Sequence, residues 1–241
     1  MLSAVVAIPL LVGVIGVAPG WLYAAFVLAL ILRAQWELYR MFGAAGVDAA
    51  RGPGFVLGSL VGLAFAFGGA PRPWLVSLAL SLAVAGCLAL GLARTAGPGR
   101  DWAGLALTLL GICYCAWLLG HAMWLRQLPG GGRLTLFGLG VTWCGETAAY
   151  FVGRHWGRVK LAPRVSPAKT VEGAVAQVIA SLAAALVGAP FVAIEAGHAV
   201  GIGLVLGVVG QVGDLAESFL KRSAGTKDAG SLLPGHGGLL D

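Results

Sequence analysis

The chain has 241 residues, of which 59% belong to the apolar set Ala, Val, Ile, Leu, Met, Phe, Trp, Tyr and Cys and only 11% are charged, with a formal net charge of +6 and a mean hydropathy of +0.89. About a quarter of an ordinary soluble domain is charged, so this chain lacks the polar surface to coat a globule. That excludes an ordinary cytosolic enzyme, a disordered chain and a nucleic-acid binder of the basic-patch kind, and it predicts an all-α, polytopic membrane helix bundle.

A hydrocarbon core about 30 Å thick takes roughly 20 apolar residues per helix. The apolar stretches predict eight spans, at about 2–18, 21–40, 54–70, 74–93, 102–124, 134–153, 171–194 and 198–220. The first ends at Pro19-Gly20 and has neither a basic leader nor a small-residue cleavage site, so it reads as a span and not as a removable signal. Where the second span leaves the membrane, Glu37 stands between Arg33 and Arg40 and reads as a solvated interfacial charge, a pair at helical spacing. Gly54, Gly58 and Gly62 form a small-residue face on the third span, and Gly203 and Gly207 repeat it on the eighth; both predict close helix packing. Cys87, Cys113, Cys115 and Cys144 lie in apolar runs and read as small hydrophobes, not as disulfides or a zinc site. No inverted repeat of the transporter kind is visible. With a cytoplasmic amino terminus, thirteen of the sixteen lysines and arginines fall inside and only Arg72, Arg126 and Arg133 outside, the asymmetry expected of a membrane protein. The first 130 residues hold almost no chemistry. The chain therefore divides into amino-terminal transmembrane helices at 1–130 and a catalytic transmembrane region at 131–241, which carries a basic cytoplasmic loop.

Three polar clusters occupy that second region. Glu146 lies inside an apolar span, a costly position that marks a functional candidate, and Tyr150 shares its helical face. The loop that follows, Arg154 to Gly173, supplies Arg154, Arg158, Lys160, Arg164 and Lys169 among glycines and prolines, enough cations to fold around several phosphates. Its Ser166, Lys169 and Thr170 precede a new helix whose first N–H groups favour an anion, although Thr170 also reads as a plain helix cap and the loop as a lipid-facing basic patch. The third cluster puts Gln211, Asp214, Glu217, Ser218 and Lys221 on one helical face and continues through Arg222, Lys227 and Asp228 to His236, Gly237, Gly238 and Asp241. Asp214, Asp228 and Asp241 are hard oxygen ligands suited to magnesium beside substrate phosphates, and the glycines admit close approach of a phosphate. His236 is as readily structural as catalytic.

The run Ser218-x-x-Lys221-Arg222, Lys227-Asp228-x-Gly230 and Pro234-Gly-His236-Gly237-Gly238-x-x-Asp241 resembles the signature of the phosphatidate cytidylyltransferases, the CDP-diacylglycerol synthases. Gln211-x-Gly213-Asp214-Leu215-x-Glu217-Ser218 and Ser166-Pro-Ala-Lys169-Thr170-Val-Glu172-Gly173 are similar to further segments of that family. Together these cover roughly the last hundred residues.

The resemblance implies that CTP and phosphatidic acid give CDP-diacylglycerol and pyrophosphate with magnesium, as one ion or two. It implies Asp214, Asp241 and then Asp228 as metal ligands, and Lys169, Lys221, Arg222 and Lys227 as phosphate holders. Ser166, Ser218 and His236 would orient substrate or a metal-bound water. Thr170, Gly237 and Gly238 complete the substrate contacts, and Glu146 and Lys227 join Asp214, Asp228, Ser218 and His236 in the catalytic set. No covalent nucleophile is needed, because the lipid phosphate attacks. The bilayer delivers the lipid and the cytoplasm the CTP, which suits the inner membrane of a bacterium. Nucleic acid is not an expected partner, and the glycine faces leave a homodimer open.

Glu146 stands where the family carries aspartate, and Ala168 replaces a common lysine. The chain also stops at Asp241, before an arginine, a second aspartate and a final helix of the pattern, so a truncated sequence is expected. Two other readings stay open. One is a different CTP-dependent lipid enzyme of the polyprenol kinase, phytol kinase or CDP-archaeol synthase type; the other is a non-catalytic degenerate paralogue or transporter. The Pro-Gly-His-Gly-Gly run and the Lys-Asp pair favour the diacylglycerol branch.

Overall fold

The computed structural model describes residues 2–69, 72–93, 101–230 and 237–241. His236, Arg94 and Arg100 lie outside the described residues. The chain divides into two compact units, Met1–Pro129 with Ala224–Asp241, and Gly130–Ser223. The tail from Ala224 onward is thus part of the first unit, although in sequence it continues the second.

The first unit opens with α1 (Leu2–Val17), stopped by Pro19, and α2 (Gly20–Ala44). Gly46, in the left-handed region at φ 86°, turns the chain toward α3 (Arg51–Gly68). Then come α4 (Trp74–Ala93), α5 (Asp101–Gly111), a π-helical turn over Ile112–Trp117 and α6 (Leu118–Gln127), the last three forming one uninterrupted helix. The second unit holds α7 (Gly131–Trp156), β1 (Lys160–Ala162), β2 (Ser166–Thr170), α8 (Val171–Val192) and α9 (Ala196–Ser223).

With α5, the π-helical turn and α6 taken as one, the described residues form eight helices, each where an apolar stretch predicts one. Six are long and apolar enough to cross a membrane; the chain is a polytopic membrane protein. The other two of the eight expected spans differ for stated reasons. Helix α1 has only 16 residues, and the 26 residues of α7 include Arg133, Glu146 and Arg154 among several threonines and glycines.

The glycine faces do the packing their spacing predicts. On α3, a Cβ at Gly58 would come within 2.5 Å of the Gln35 amide, and one at Gly54 within 2.7 Å of the Tyr39 hydroxyl. Close approach without side-chain bulk is how helices associate where lipid removes the hydrophobic incentive. Polar bonds then tie the unit internally. Gln35 Nε2 donates to the Gly54 carbonyl at 3.1 Å, Tyr39 donates to the Thr108 carbonyl at 2.9 Å, and Thr108 Oγ1 accepts from the Ala50 N–H at 2.8 Å.

In the second unit, Gly203 and Gly207 bring α9 onto the backbone of α8, where added Cβ atoms would meet Leu182 Cα at 2.7 Å and Val178 Cα at 2.9 Å. Phe137 and Val141 of α7 and Ala185 of α8 form the buried core between these helices, with Ile202 and Leu206 of α9 against it.

Two expectations are corrected. The segment read as a basic loop contains an antiparallel hairpin in which Lys160 pairs with Thr170 and Ala162 with Ser166. Glu37, read as a solvated interfacial charge, is fully buried; its ion pair with Arg33 exists at 2.9 Å, but the carboxylate faces protein and not water.

Candidate active site

Within the second unit, the hairpin and three helices line an open cavity of about 560 Å³. Helix α7 contributes Glu146, Tyr150 and Arg154, the hairpin Lys160, Ser166 and Lys169, and α9 Gln211 and Asp214. The elements that position these groups are fixed locally. Thr170 caps α8, its Oγ1 accepting the Gly173 N–H at 3.2 Å, as a threonine ahead of an apolar helix does. The Val171 N–H reaches back to the Val159 carbonyl at 2.9 Å, and the Glu172 carboxylate accepts the Val159 N–H at 3.2 Å. These bonds lock the hairpin onto the start of α8. At its turn, Arg222 Nε of α9 donates to the Val165 carbonyl at 3.4 Å.

Lys169 Nζ lies 2.5 Å from Asp214 Oδ2, with the lysine side chain 17% and the aspartate 46% exposed. Glu146 is close enough to act electrostatically on both. Arg154 Nη1 donates to the Tyr150 hydroxyl at 2.7 Å, which holds one more guanidinium at the cavity. Three sequence segments far apart thus converge: Glu146, the Ser166–Thr170 strand and Asp214. Ala168, where a lysine was expected from the resemblance, also lines the cavity and leaves its cations to Lys160, Lys169 and Arg154. Farther along α9, Lys221 pairs with Glu217 at 2.6 Å, and Ser218 is half-buried.

Of the remaining expected residues, Lys227, Asp228, Gly237, Gly238 and Asp241 lie in the first unit. Lys227 and Asp228 are exposed and Gly238 is buried. Gly237 has φ 100°, a conformation that suits glycine. Asp241 Oδ2 accepts from the Ala229 N–H at 2.9 Å and from the Gly238 N–H at 2.7 Å, so one carboxylate ties Ala229 and Gly238 together.

As for a metal, no group of three or more His, Cys, Asp or Glu side chains gathers among the described residues. Magnesium, however, is usually held by one or two carboxylates and by substrate phosphates. Asp214 and Glu146, which line the same cavity from α9 and α7, are a donor set that fits such an ion.

Two residues were missed by sequence reasoning. Gln177 of α8 is 3% exposed and lines the cavity; an isolated amide in the run Ala-Val-Ala-Gln-Val-Ile-Ala was the available signal. Glu37 is the other. Its Oε2 accepts the Leu240 N–H at 2.9 Å, a contact no local pattern announces.

Residues 1–241 match the sequence model of a family described as the cytidylyltransferase family. The phosphatidate cytidylyltransferase of Brucella suis biovar 1 (strain 1330) is 42% identical over 165 residues, which are 68% of this chain and 59% of that protein. The phosphatidate cytidylyltransferase of Staphylococcus saprophyticus is 42% identical over 138 residues, 56% of this chain and 52% of the relative. The uncharacterized protein YnbB of Escherichia coli (strain K12) is 44% identical over 129 residues, 51% of this chain and 43% of the relative. The chain spans about three-fifths of the length of the first of these relatives, and less of the other two.

Proposed function

The chain belongs to the cytidylyltransferase family, and we propose that it transfers the cytidylyl group of CTP to phosphatidic acid, giving CDP-diacylglycerol and pyrophosphate. The reaction would take place at the cytoplasmic face of a bacterial inner membrane, with the lipid drawn from the bilayer. The observation that carries this reading is the cavity shared by Lys169, Asp214 and Glu146, whose residues come from the segments that also carry the motifs.

A phosphate oxygen of the lipid attacks the α-phosphorus of CTP; that P–O bond forms, the bond to the β-phosphate bridge breaks, and pyrophosphate leaves. Two polyanions must first be brought together, so the protein's task is to neutralise charge and align the reactants. Lys169, Lys160 and Arg154 supply cations at the cavity, and the positive end of α8 adds its dipole. Ser166 and Ser218 orient substrate, and Lys221, Arg222 and Lys227 hold phosphates, with His236, Gly237 and Gly238 close to them in the motif. Asp214 and Glu146 would hold magnesium; Asp228 and Asp241, which the resemblance also implies as ligands, are carboxylates of the first unit. When bound, magnesium stabilises the charge that develops on the phosphoryl oxygens.

The test is pyrophosphate release from CTP by the purified protein in detergent, with and without phosphatidic acid and magnesium. It is run on this chain and on one extended through the arginine, second aspartate and helix of the family pattern. Expected is release from CTP that requires both phosphatidic acid and magnesium, with CDP-diacylglycerol in the lipid extract. Folded protein that releases no pyrophosphate in either form overturns the proposal in favour of a non-catalytic paralogue. Release with a different lipid product moves it to another CTP-dependent enzyme.

A further inference from the structure

Glu37 lies on α2, outside every segment that carries the family motifs, and it is fully buried. A buried carboxylate persists only where charge and hydrogen-bond partners compensate its lost hydration. Here both partners are visible. Arg33, one turn earlier on the same helix, brings Nη2 to 2.9 Å from Oε1, and its guanidinium also stacks over Trp36 at 4.3 Å from the ring centroid. The second oxygen, Oε2, accepts the Leu240 N–H at 2.9 Å across 203 residues of sequence.

Two glycines of the tail are fitted to the same carboxylate. A Cβ at Gly230 would come within 3.0 Å of Glu37 Oε1, and one at Gly238 would run into Oε2. Asp241, next to Leu240, then ties the loop to itself through the Ala229 and Gly238 N–H groups. The carboxylate therefore sits beneath both ends of the loop, Gly230 on one side and Gly238 with Leu240 on the other. Arg33 fixes the carboxylate, the carboxylate fixes Leu240, and Leu240 fixes the placement of Asp241.

We propose that Glu37 is a positioning residue: a buried latch on α2 that holds Gly230, Gly238 and Leu240, and through them Asp241, in the arrangement in which the tail meets CTP. The link to CTP rests on the function proposed above; the latch itself does not. Glu37 acts through the tail and touches no reacting atom. A charged acceptor suits this task, because a hydrogen bond from a backbone N–H to a carboxylate is about twice as strong as one to a neutral group.

The test compares wild type with Glu37→Ala, Glu37→Gln and Gly230→Val, the last of which displaces the tail while leaving α2 unaltered. Hydrogen–deuterium exchange is followed in peptides covering 229–241 and, as a folding control, in peptides of α2 and α8. Pyrophosphate release is measured against CTP concentration. Expected is exchange in 237–241 faster by about tenfold or more in Glu37→Ala and Gly230→Val, with the helix peptides unchanged, as loss of a charge-assisted bond predicts. The half-saturating CTP concentration should rise by about tenfold in both, a shift that a mere drop in the amount of folded enzyme would not produce. Glu37→Gln keeps an acceptor for Leu240 and should fall between wild type and alanine in both readouts.

Unchanged tail exchange in Glu37→Ala and Gly230→Val overturns the latch. Faster exchange with unchanged CTP saturation overturns its role in CTP binding. If wild type releases no pyrophosphate, the functional reading fails on its own, and the exchange comparison alone then upholds or overturns the latch.

Discussion

Asp214 has two neighbours that pull in different directions: Lys169 at 2.5 Å, and Glu146, a second carboxylate on the same cavity. A pair whose aspartate is nearly half exposed contributes at most about 1 kcal/mol to stability. The same carboxylate at a phosphoryl-transfer site is worth far more, since removing one group that stabilises the transition state costs about 100-fold or more in rate. Asp214→Asn should therefore abolish turnover by at least about 100-fold while shifting the thermal midpoint in detergent by no more than a pair of that size allows. Near-wild-type pyrophosphate release would remove Asp214 from the site. Asp214 and Lys169 were legible in the sequence because each stands in a dense polar motif. Glu37 was not, because what buries it is a backbone N–H 203 residues away, and the local pattern Arg33, Glu37, Arg40 is what an exposed helix end also looks like.

The helices were legible almost to their ends because an apolar run of fixed length has one way to satisfy its backbone in lipid. The hairpin was not. Its strands read Lys-Leu-Ala and Ser-Pro-Ala-Lys-Thr, with a proline inside and no alternation of β-branched residues, so propensity argues against them. What holds the strands is tertiary: the Val159 bonds to Val171 and Glu172 and the Arg222 bond to Val165. Helix contact in the second unit, by contrast, follows from glycine spacing and can be tested at α9. Replacing a helical glycine by alanine gains up to about 1 kcal/mol of helix propensity. At Gly203 the new methyl would meet the α8 backbone at 2.7 Å, where no side chain can swing aside, and overpacking of this kind costs about 1–3 kcal/mol. At Gly201, two residues earlier, nothing lies within 4 Å. Gly203→Ala should lower the thermal midpoint, and Gly201→Ala should leave it unchanged or raise it slightly. Equal effects at the two positions would show that the close approach of α8 and α9 is not a packing constraint.

For the molecule as a whole, the distribution of charge depends on α7. It is not among the six helices that qualify as spans by length and composition, yet its 26 residues reach about 39 Å at 1.5 Å per residue, more than the roughly 30 Å of the hydrocarbon core. Its polar residues are of the kind tolerated in a span when they face protein or an aqueous cavity, and Glu146, Tyr150 and Arg154 do line one. If α7 crosses, thirteen of the sixteen lysines and arginines lie on one side. If it does not, the hairpin and the tail change sides and the division becomes eleven to five, a weaker version of the bias that sets orientation. The two arrangements differ at the ends of α7. In a background with the four native cysteines replaced, Leu128→Cys before the helix and Arg164→Cys in the hairpin turn are each exposed and open to a membrane-impermeant maleimide. In intact bacteria Leu128→Cys should label directly, and Arg164→Cys only after the membrane is permeabilised. Labelling of both from the same side would remove α7 from the spans and put the cavity on the wrong face of the membrane for cytoplasmic CTP.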